Sequence, residues 1–204
     1  DGERQALTVV RGMSDTHMKD LAVSDHPFKL SLPHEVSKEV SKFQSIRAYI
    51  DPAGGGQNGD ETAWAIGGFL NGHITVLSVG GMRGGYDESG LDELAQIMAK
   101  FKLDVCTIEK NMGHGAFRQV FIPILRKHIQ CQVEDDLVTG QKELRIINTL
   151  EPMMGRGAII IDEAAVEEDR VTAMAHPPSL RQVYSLFFQL QKISRERNAL
   201  LHDD

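Results

Sequence analysis

From Ile46 onward the apolar and polar positions of the chain fall into regular patterns. Arg47–Pro52 reads as a strand that Pro52 ends, because proline has no N–H to give to a ladder. Thr62–Leu70 and His73–Val79 read as two further strands. They meet at Asn71-Gly72, the dipeptide that best tolerates positive φ at both positions of a tight hairpin turn. Gly80–Gly85 reads as a loop. Leu91, Leu94, Ala95, Met98 and Phe101 then recur at helical spacing and predict an amphipathic helix over 87–102. Asp104–Glu109 (DVCTIE) is a short buried strand that delivers Glu109 at its end, and 111–115 is a turn. His114–His128 carries Phe117, Val120, Phe121, Ile124 and Leu125 on one face, a second helix that Pro123 is expected to kink or divide. Cys131–Val133 is a short strand, Gln141–Met154 a helix ended by Gly155 and Gly157, and Ala158–Ile161 a strand of four apolar residues. Acidic Asp162–Arg170, with Pro177-Pro178, is expected to be a long surface connection, and Leu180–Leu201 the longest helix.

Residues 1–45 lack this order. Val9–Val10, Phe28–Leu32 and the Val36/Val40 pair are apolar, but Pro27, Pro33 and scattered charges break any long period. This predicts an irregular arm over an edge of the main domain (46–204), or a linker from a preceding domain, with a short helix near His34–Phe43. The remaining order is a three-strand meander followed by helix and strand in alternation. It predicts an α/β domain with a mixed sheet, antiparallel at one side and parallel where crossovers occur, flanked by helices. The strand of Asp51 is expected beside that of Glu109. Both acids end their strands, where open α/β sheets build sites.

Composition narrows the classes. A chain of 204 residues that is 41% hydrophobic and 25% charged suits one soluble domain with a real core. No apolar run approaches membrane-span length, and no basic-then-apolar leader opens the chain. Because the chain begins at Asp1 and stops at Asp204, it is expected to be a piece of a longer protein. Cys106 and Cys131 lack CxxC spacing and read as reduced core thiols. A net charge of −7 argues against tight passive binding of nucleic acid. It leaves room for an enzyme that meets nucleic acid through divalent cations, which invert the local field.

The candidate chemistry gathers around RAYIDPAGGGQNGDETA, residues 47–63. Asp51, Glu109 and the pair Asp203-Asp204 are the proposed constellation. Converging carboxylates raise one another's pKa unless a counter-charge is present. Hard oxygen ligands suit Mg²⁺ or Mn²⁺, and two such ions about 4 Å apart activate a water and stabilise the leaving oxygen of a phosphodiester. Asp60 is either a further metal ligand or a turn cap. Asp162 is a rival third ligand within an acidic neighbourhood that reads as solvated. The glycine run 54–56 lacks the Lys-Ser/Thr of a phosphate loop and reads as clearance for substrate backbone. Arg83, Lys110 and Asn111 are candidate DNA phosphate contacts, or residues of solvated loops; His114 and His202 lie near proposed acids, with core or surface roles open. GxSxG, the elbow of a nucleophilic serine, does not occur.

YIDPAGGGQNGDETAWAI, TIEKNMGHGAF and the closing ALLHDD together resemble the nuclease domain of large terminase subunits, the DNA-packaging motors of tailed bacteriophages, and most of all those of short-tailed phages. The resemblance runs from about Gly12 to Asp204. It implies an RNase H-like fold and metal-dependent cleavage of double-stranded, concatemeric viral DNA, with two Mg²⁺ or Mn²⁺ ions as cofactors. By position, Asp51 matches the first-strand ligand and Glu109 the acid on the strand after the first helix. Asp203 and Asp204 match the closing acidic pair, and Asp60 an acid placed near the second metal in some members. The implied partners are double-stranded DNA and, in the full-length protein, an N-terminal ATPase domain, the small terminase subunit and the portal. The implied setting is the host cytoplasm, away from any membrane and from the mature virion. Ending on the acidic pair is a departure from the family pattern, as is the missing ATPase domain. The competing expectations are a non-catalytic docking module for DNA or portal, and another RNase H-like nuclease such as a junction resolvase.

Overall fold

The structure is a computed structural model that describes residues 5–10, 35–53, 61–83, 87–110, 115–137 and 140–195. Two strands, β1 (Gln5–Val10) and β2 (Glu35–Lys42), pair antiparallel as a separate ribbon. Within the helix expected at His34–Phe43, residues 35–42 are therefore a strand. The register sets Val9 opposite Val36 and Leu7 opposite Val40. The antiparallel ladder with β1 pairs the backbone of this stretch in place of helical hydrogen bonds.

The main sheet begins with the meander β3 (Ser45–Asp51), β4 (Thr62–Leu70) and β5 (His73–Met82). Asn71 at φ 50° and Gly72 at φ 79° make the turn that the Asn-Gly dipeptide predicts. β5 absorbs Gly80–Met82, expected as loop, because β4 pairs with it through Thr62↔Met82. Helix α1 (Glu88–Lys100) starts at Asp87, whose carboxylate accepts from Gly90 N–H at 2.8 Å, an ordinary N-cap. There follow β6 (Val105–Glu109), α2 (Ala116–His128), β7 (Gln132–Asp136), α3 (Lys142–Gly155), β8 (Ile159–Ile161), α4 (Glu163–Met174) and α5 (Leu186–Lys192). The sheet order is β7-β6-β3-β4-β5-β8, antiparallel through β3-β4-β5 and parallel elsewhere. This is the expected mixed sheet, and no helix among the described residues is long and apolar enough to cross a membrane.

One face of the sheet carries the main core. Ala48, Ile50, Ile66, Leu77, Cys106 and Ile108 pack against Leu91, Leu94 and Met98 of α1 and Phe117, Phe121 and Leu125 of α2. Strand alternation then sends Tyr49, Asp51, Thr107 and Glu109 to the opposite face. Ile50 and Ile108 are almost wholly buried, and each such side chain is worth about 1.5–3 kcal/mol. A one-residue slip of either strand forfeits that and drives a carboxylate into the core, so the register that aligns Asp51 with Glu109 is firmly held.

Four expectations change here. α2 runs unbroken through Pro123, since Pro123 and Gln119, whose carbonyl loses its helical donor, are both exposed to water. β7 reaches Asp136 rather than stopping at Val133. The acidic stretch after Asp162 is helix α4: Ala165, Val166 and Ala173 are buried along one side, while Glu167 and Arg170 pair on the outside. The long terminal helix shortens to α5. Turns occupy 178–184, Leu180 is exposed, and Ser185 caps the Phe188 N–H. Buried Asp169 of α4 fixes that start by accepting from Ser185 Oγ at 2.9 Å and Leu186 N–H at 2.7 Å. Burial pushes the Asp169 carboxyl above its ordinary range, against the opposing pull of these donors. Cys106 is a free buried thiol, pushed up to about 12 chiefly by burial, and burial raises Cys131 as well, which suits inert thiols.

Candidate active site

The second face of the sheet and helices α3, α4 and α5 enclose a cleft of about 750 Å³. Its sheet wall carries acids at the carboxyl ends of three consecutive parallel strands. Ile50 stands opposite Ile108, so Asp51 and Glu109, the next residues on each strand, end β3 and β6 side by side; Glu109 in turn stands opposite Asp136 at the end of β7. All three line the cleft.

Their partners define the electrostatics. Lys142, the first residue of α3, places its ammonium 3.2 Å from Asp51 Oδ2, with the side chains 30% and 24% exposed. Tyr49, two residues before Asp51 and on the same face, donates its hydroxyl toward Glu109 Oε2 at 2.9 Å and Asp136 Oδ2 at 3.1 Å. Burial, and then these two carboxylates, push the phenol well above its usual range. It therefore stays a donor throughout the working pH range.

A second polar group sits beside the cleft, with Glu61 on its wall just before β4. Glu61, only 7% exposed, accepts from Arg83 Nε at 3.1 Å and faces His176 Nε2 at 3.1 Å. Arg83 Nη2 lies 2.7 Å from His176 Nδ1. A guanidinium has only donors, so Nδ1 accepts and Nε2 carries the proton donated to Glu61. His176 also stacks on Tyr184, with centroids 3.6 Å apart. This group ties β4 and β5 to the segment after α4. A Cβ at Gly81 would stand 2.6 Å from Glu61 Oε2, on a carboxylate that Arg83 and His176 hold in place. Gly81→Ala is expected to cost about 1–3 kcal/mol, as overpacking does. Chemical denaturation of the two proteins measures that difference.

The candidates read from the sequence separate clearly. Asp51 and Glu109 come together. Lys110 is exposed beside them, its N–H bonded to the Asp136 carbonyl at 2.8 Å. Arg83, although 59% exposed, is bound to Glu61 and His176 and is not a free phosphate contact. Asp162 caps α4 by accepting from Ala164 N–H at 2.9 Å. It ends β8, three strands from β3, or about 14 Å at ordinary strand spacing. Asp60, Asn111, His114, His202, Asp203 and Asp204 lie outside the described residues.

Sequence reasoning missed Asp136, Tyr49, Lys142, Arg145, Glu61 and His176. Two carried a usable signal: Asp136 ends a strand as Glu109 does, and Tyr49 stands at period two from Asp51. Arg145 of α3 lines the cleft one turn after Lys142, and its Nη1 is buried with no partner among the described residues. Among those residues no group of three or more His, Cys, Asp or Glu side chains closes on a single metal position. Asp51 and Glu109 nonetheless offer hard oxygens, and Lys142 already sets a cation on Asp51. That donor set fits part of a Mg²⁺ or Mn²⁺ site.

Sheet order and strand-end acids define an RNase H-like domain. The structure is similar to the human cytomegalovirus terminase nuclease domain, at 14% identity and a TM-score of 0.50 over 78% of this chain and 80% of that one. The nuclease domain of large terminase subunit gp2 of bacterial virus Sf6, in a mutant form with manganese and beta-thujaplicinol, matches at 10% identity and a TM-score of 0.48, covering 77% of this chain and 75% of that one. In sequence, the terminase large subunit of Enterobacteria phage T3 is 37% identical over 171 residues, 84% of this chain and 29% of that protein. The family model described as "Terminase Bacteriophage T7, Ribonuclease H-like domain" matches residues 50–159. The chain belongs to this terminase RNase H-like domain family, and it spans 29% of the length of its T3 relative.

Proposed function

We propose that the chain is a DNA endonuclease domain that cuts double-stranded, concatemeric viral DNA during genome packaging, by two-metal-ion phosphodiester hydrolysis. The observation that carries this reading is the side-by-side placement of Asp51 and Glu109 at the ends of adjacent parallel strands, on the wall of a cleft. Membership of the terminase family supports the same reading. Asp51 and Glu109 would hold the cations, Mg²⁺ or Mn²⁺, together with Asp203, Asp204 and Asp60 as further oxygen donors. Bound there, the cations would lower the pKa of an attacking water and stabilise the leaving oxygen.

The chain's own residues do the rest. Asp51 and Glu109 fix the carboxylate geometry through the sheet register. Lys142 neutralises Asp51 in the absence of other cations and, with Arg145, gives the α3 wall of the cleft a positive strip facing the acids. Exposed Lys110 flanks Glu109 as a backbone contact. In the full-length protein the partners would be the ATPase domain, the small subunit and the portal, in the host cytoplasm.

The test is nicking of supercoiled plasmid, with linear and branched DNA digested alongside. Cleavage of supercoiled and linear duplex that needs Mn²⁺ or Mg²⁺ and stops with chelator is expected. Cleavage that persists in chelator, or that is confined to branched DNA, overturns the reading.

A further inference from the structure

We propose that Asp136 is a positioning residue for Glu109, acting through the hydroxyl of Tyr49. The proposal rests on the cation-dependent reading of the Asp51–Glu109 site and adds what holds that site in shape.

The three residues sit on three adjacent strands. Glu109 and Asp136 are register partners at the ends of β6 and β7. Tyr49 reaches from β3 to both, its oxygen 2.9 Å from Glu109 Oε2 and 3.1 Å from Asp136 Oδ2. A phenol has one proton and here two carboxylate acceptors at hydrogen-bond distance. The hydroxyl is thus shared, and neither carboxylate alone fixes its direction. Asp136 lies two strands from Asp51, about 10 Å at ordinary spacing, and the Tyr49 hydroxyl is the group that hydrogen-bonds both it and Glu109.

Sharing has a mechanical consequence. With Asp136 present, the hydroxyl is anchored from the β7 side and restrains Glu109 Oε2. Whenever Glu109 engages a cation, the phenol proton still has Asp136 as acceptor, so Glu109 need not be held as its only partner. With an amide in place of the Asp136 carboxylate, the acceptor on the β7 side is uncharged and weaker, so the proton shifts toward Glu109 and competes with the cation for that carboxylate. Partners behind a ligand commonly carry about 10–100-fold in metal affinity or activity.

A double-mutant cycle on the full chain tests this, with Mn²⁺ affinity read by calorimetry without DNA and cleavage read separately. Asp136→Asn and Tyr49→Phe are near-isosteric, and Tyr49→Phe removes only a hydroxyl from a half-buried ring. Each is expected to weaken Mn²⁺ binding about tenfold and to lower kcat with KM for DNA unchanged. Adding Asp136→Asn to Tyr49→Phe is expected to cost nothing more, because the route is already cut. Equal losses from Asp136→Asn in both backgrounds, or no loss in the wild-type background, overturn the proposal while leaving the nuclease reading intact. Failure of the wild-type chain to bind Mn²⁺ overturns both.

Discussion

Asp51→Asn is expected to lower cation-dependent plasmid nicking by at least about a hundredfold while leaving the fold in place. The substitution keeps shape and removes charge, and a lost direct ligand should exceed the ~10–100-fold carried by residues behind ligands. Stability should hardly move. The Lys142–Asp51 pair is 30% and 24% exposed in its side chains, and solvent-accessible ion pairs contribute at most about 1 kcal/mol. The core contacts that pin β3 come from Ala48 and Ile50 on the other face. A thermal melt within a few degrees of wild type, beside a collapse in nicking and in Mn²⁺ binding, separates a metal-holding role from a structural one. Nicking within tenfold of wild type would remove Asp51 from the site and with it the reading of the cleft as a nuclease centre.

What the sequence made legible is whatever short-range physics determines. Asn71-Gly72 encodes its turn in two residues, Asp87 caps α1 from three residues away, and the helical spacing of Leu91, Leu94 and Met98 marks the face that meets the sheet. Asp51 and Glu109 were found because buried apolar strands precede them. β7 hid Asp136 for the opposite reason: it is an edge strand with one neighbour and half-exposed residues, so QVEDD carries no apolar alternation to mark it. α4 was obscured by its charges, because its buried side consists largely of small alanines with one valine.

The remaining misses depend on long-range contacts. Asp169 sets the start of α5 from 16 and 17 residues away, which no local period announces, so Leu180 and Val183 looked like the continuation of a helix. Lys142 meets Asp51 across 91 residues, and Arg83 meets His176 across 93. Arg83 therefore looked like a free loop cation and turned out to be committed to Glu61 and His176. Lys142 and Arg145 fell within a helix expected over Gln141–Met154 without being singled out, and they line the cleft with the acids.

That exchange of basic residues leads to the second large effect. A net charge of −7 disfavours DNA binding by the molecule as a whole, so any affinity without metal must come from a local strip. Lys142 and Arg145 stand one helical turn apart on the cleft side of α3, and Arg145 Nη1 is buried without a partner among the described residues. The guanidinium of a cleft-lining arginine suits an anionic acceptor such as a phosphate oxygen. Charge-assisted bonds of this type are worth about 1.5–3 kcal/mol each. Lys142→Ala with Arg145→Ala is therefore expected to weaken binding of a short duplex in chelator about a hundredfold, across sequences alike. The slope of log affinity against log salt should flatten by about one for each phosphate that is no longer neutralised. Mn²⁺ binding should move the other way: the Lys142 ammonium stands 3.2 Å from Asp51 Oδ2, and its removal takes a competing positive charge off that carboxylate. Arg83→Ala serves as the comparison, with little effect on duplex affinity because its guanidinium is already held by Glu61 and His176. Unchanged duplex affinity in the α3 double variant, or a larger loss from Arg83→Ala, would move the DNA path off α3 and onto the β5 side of the cleft.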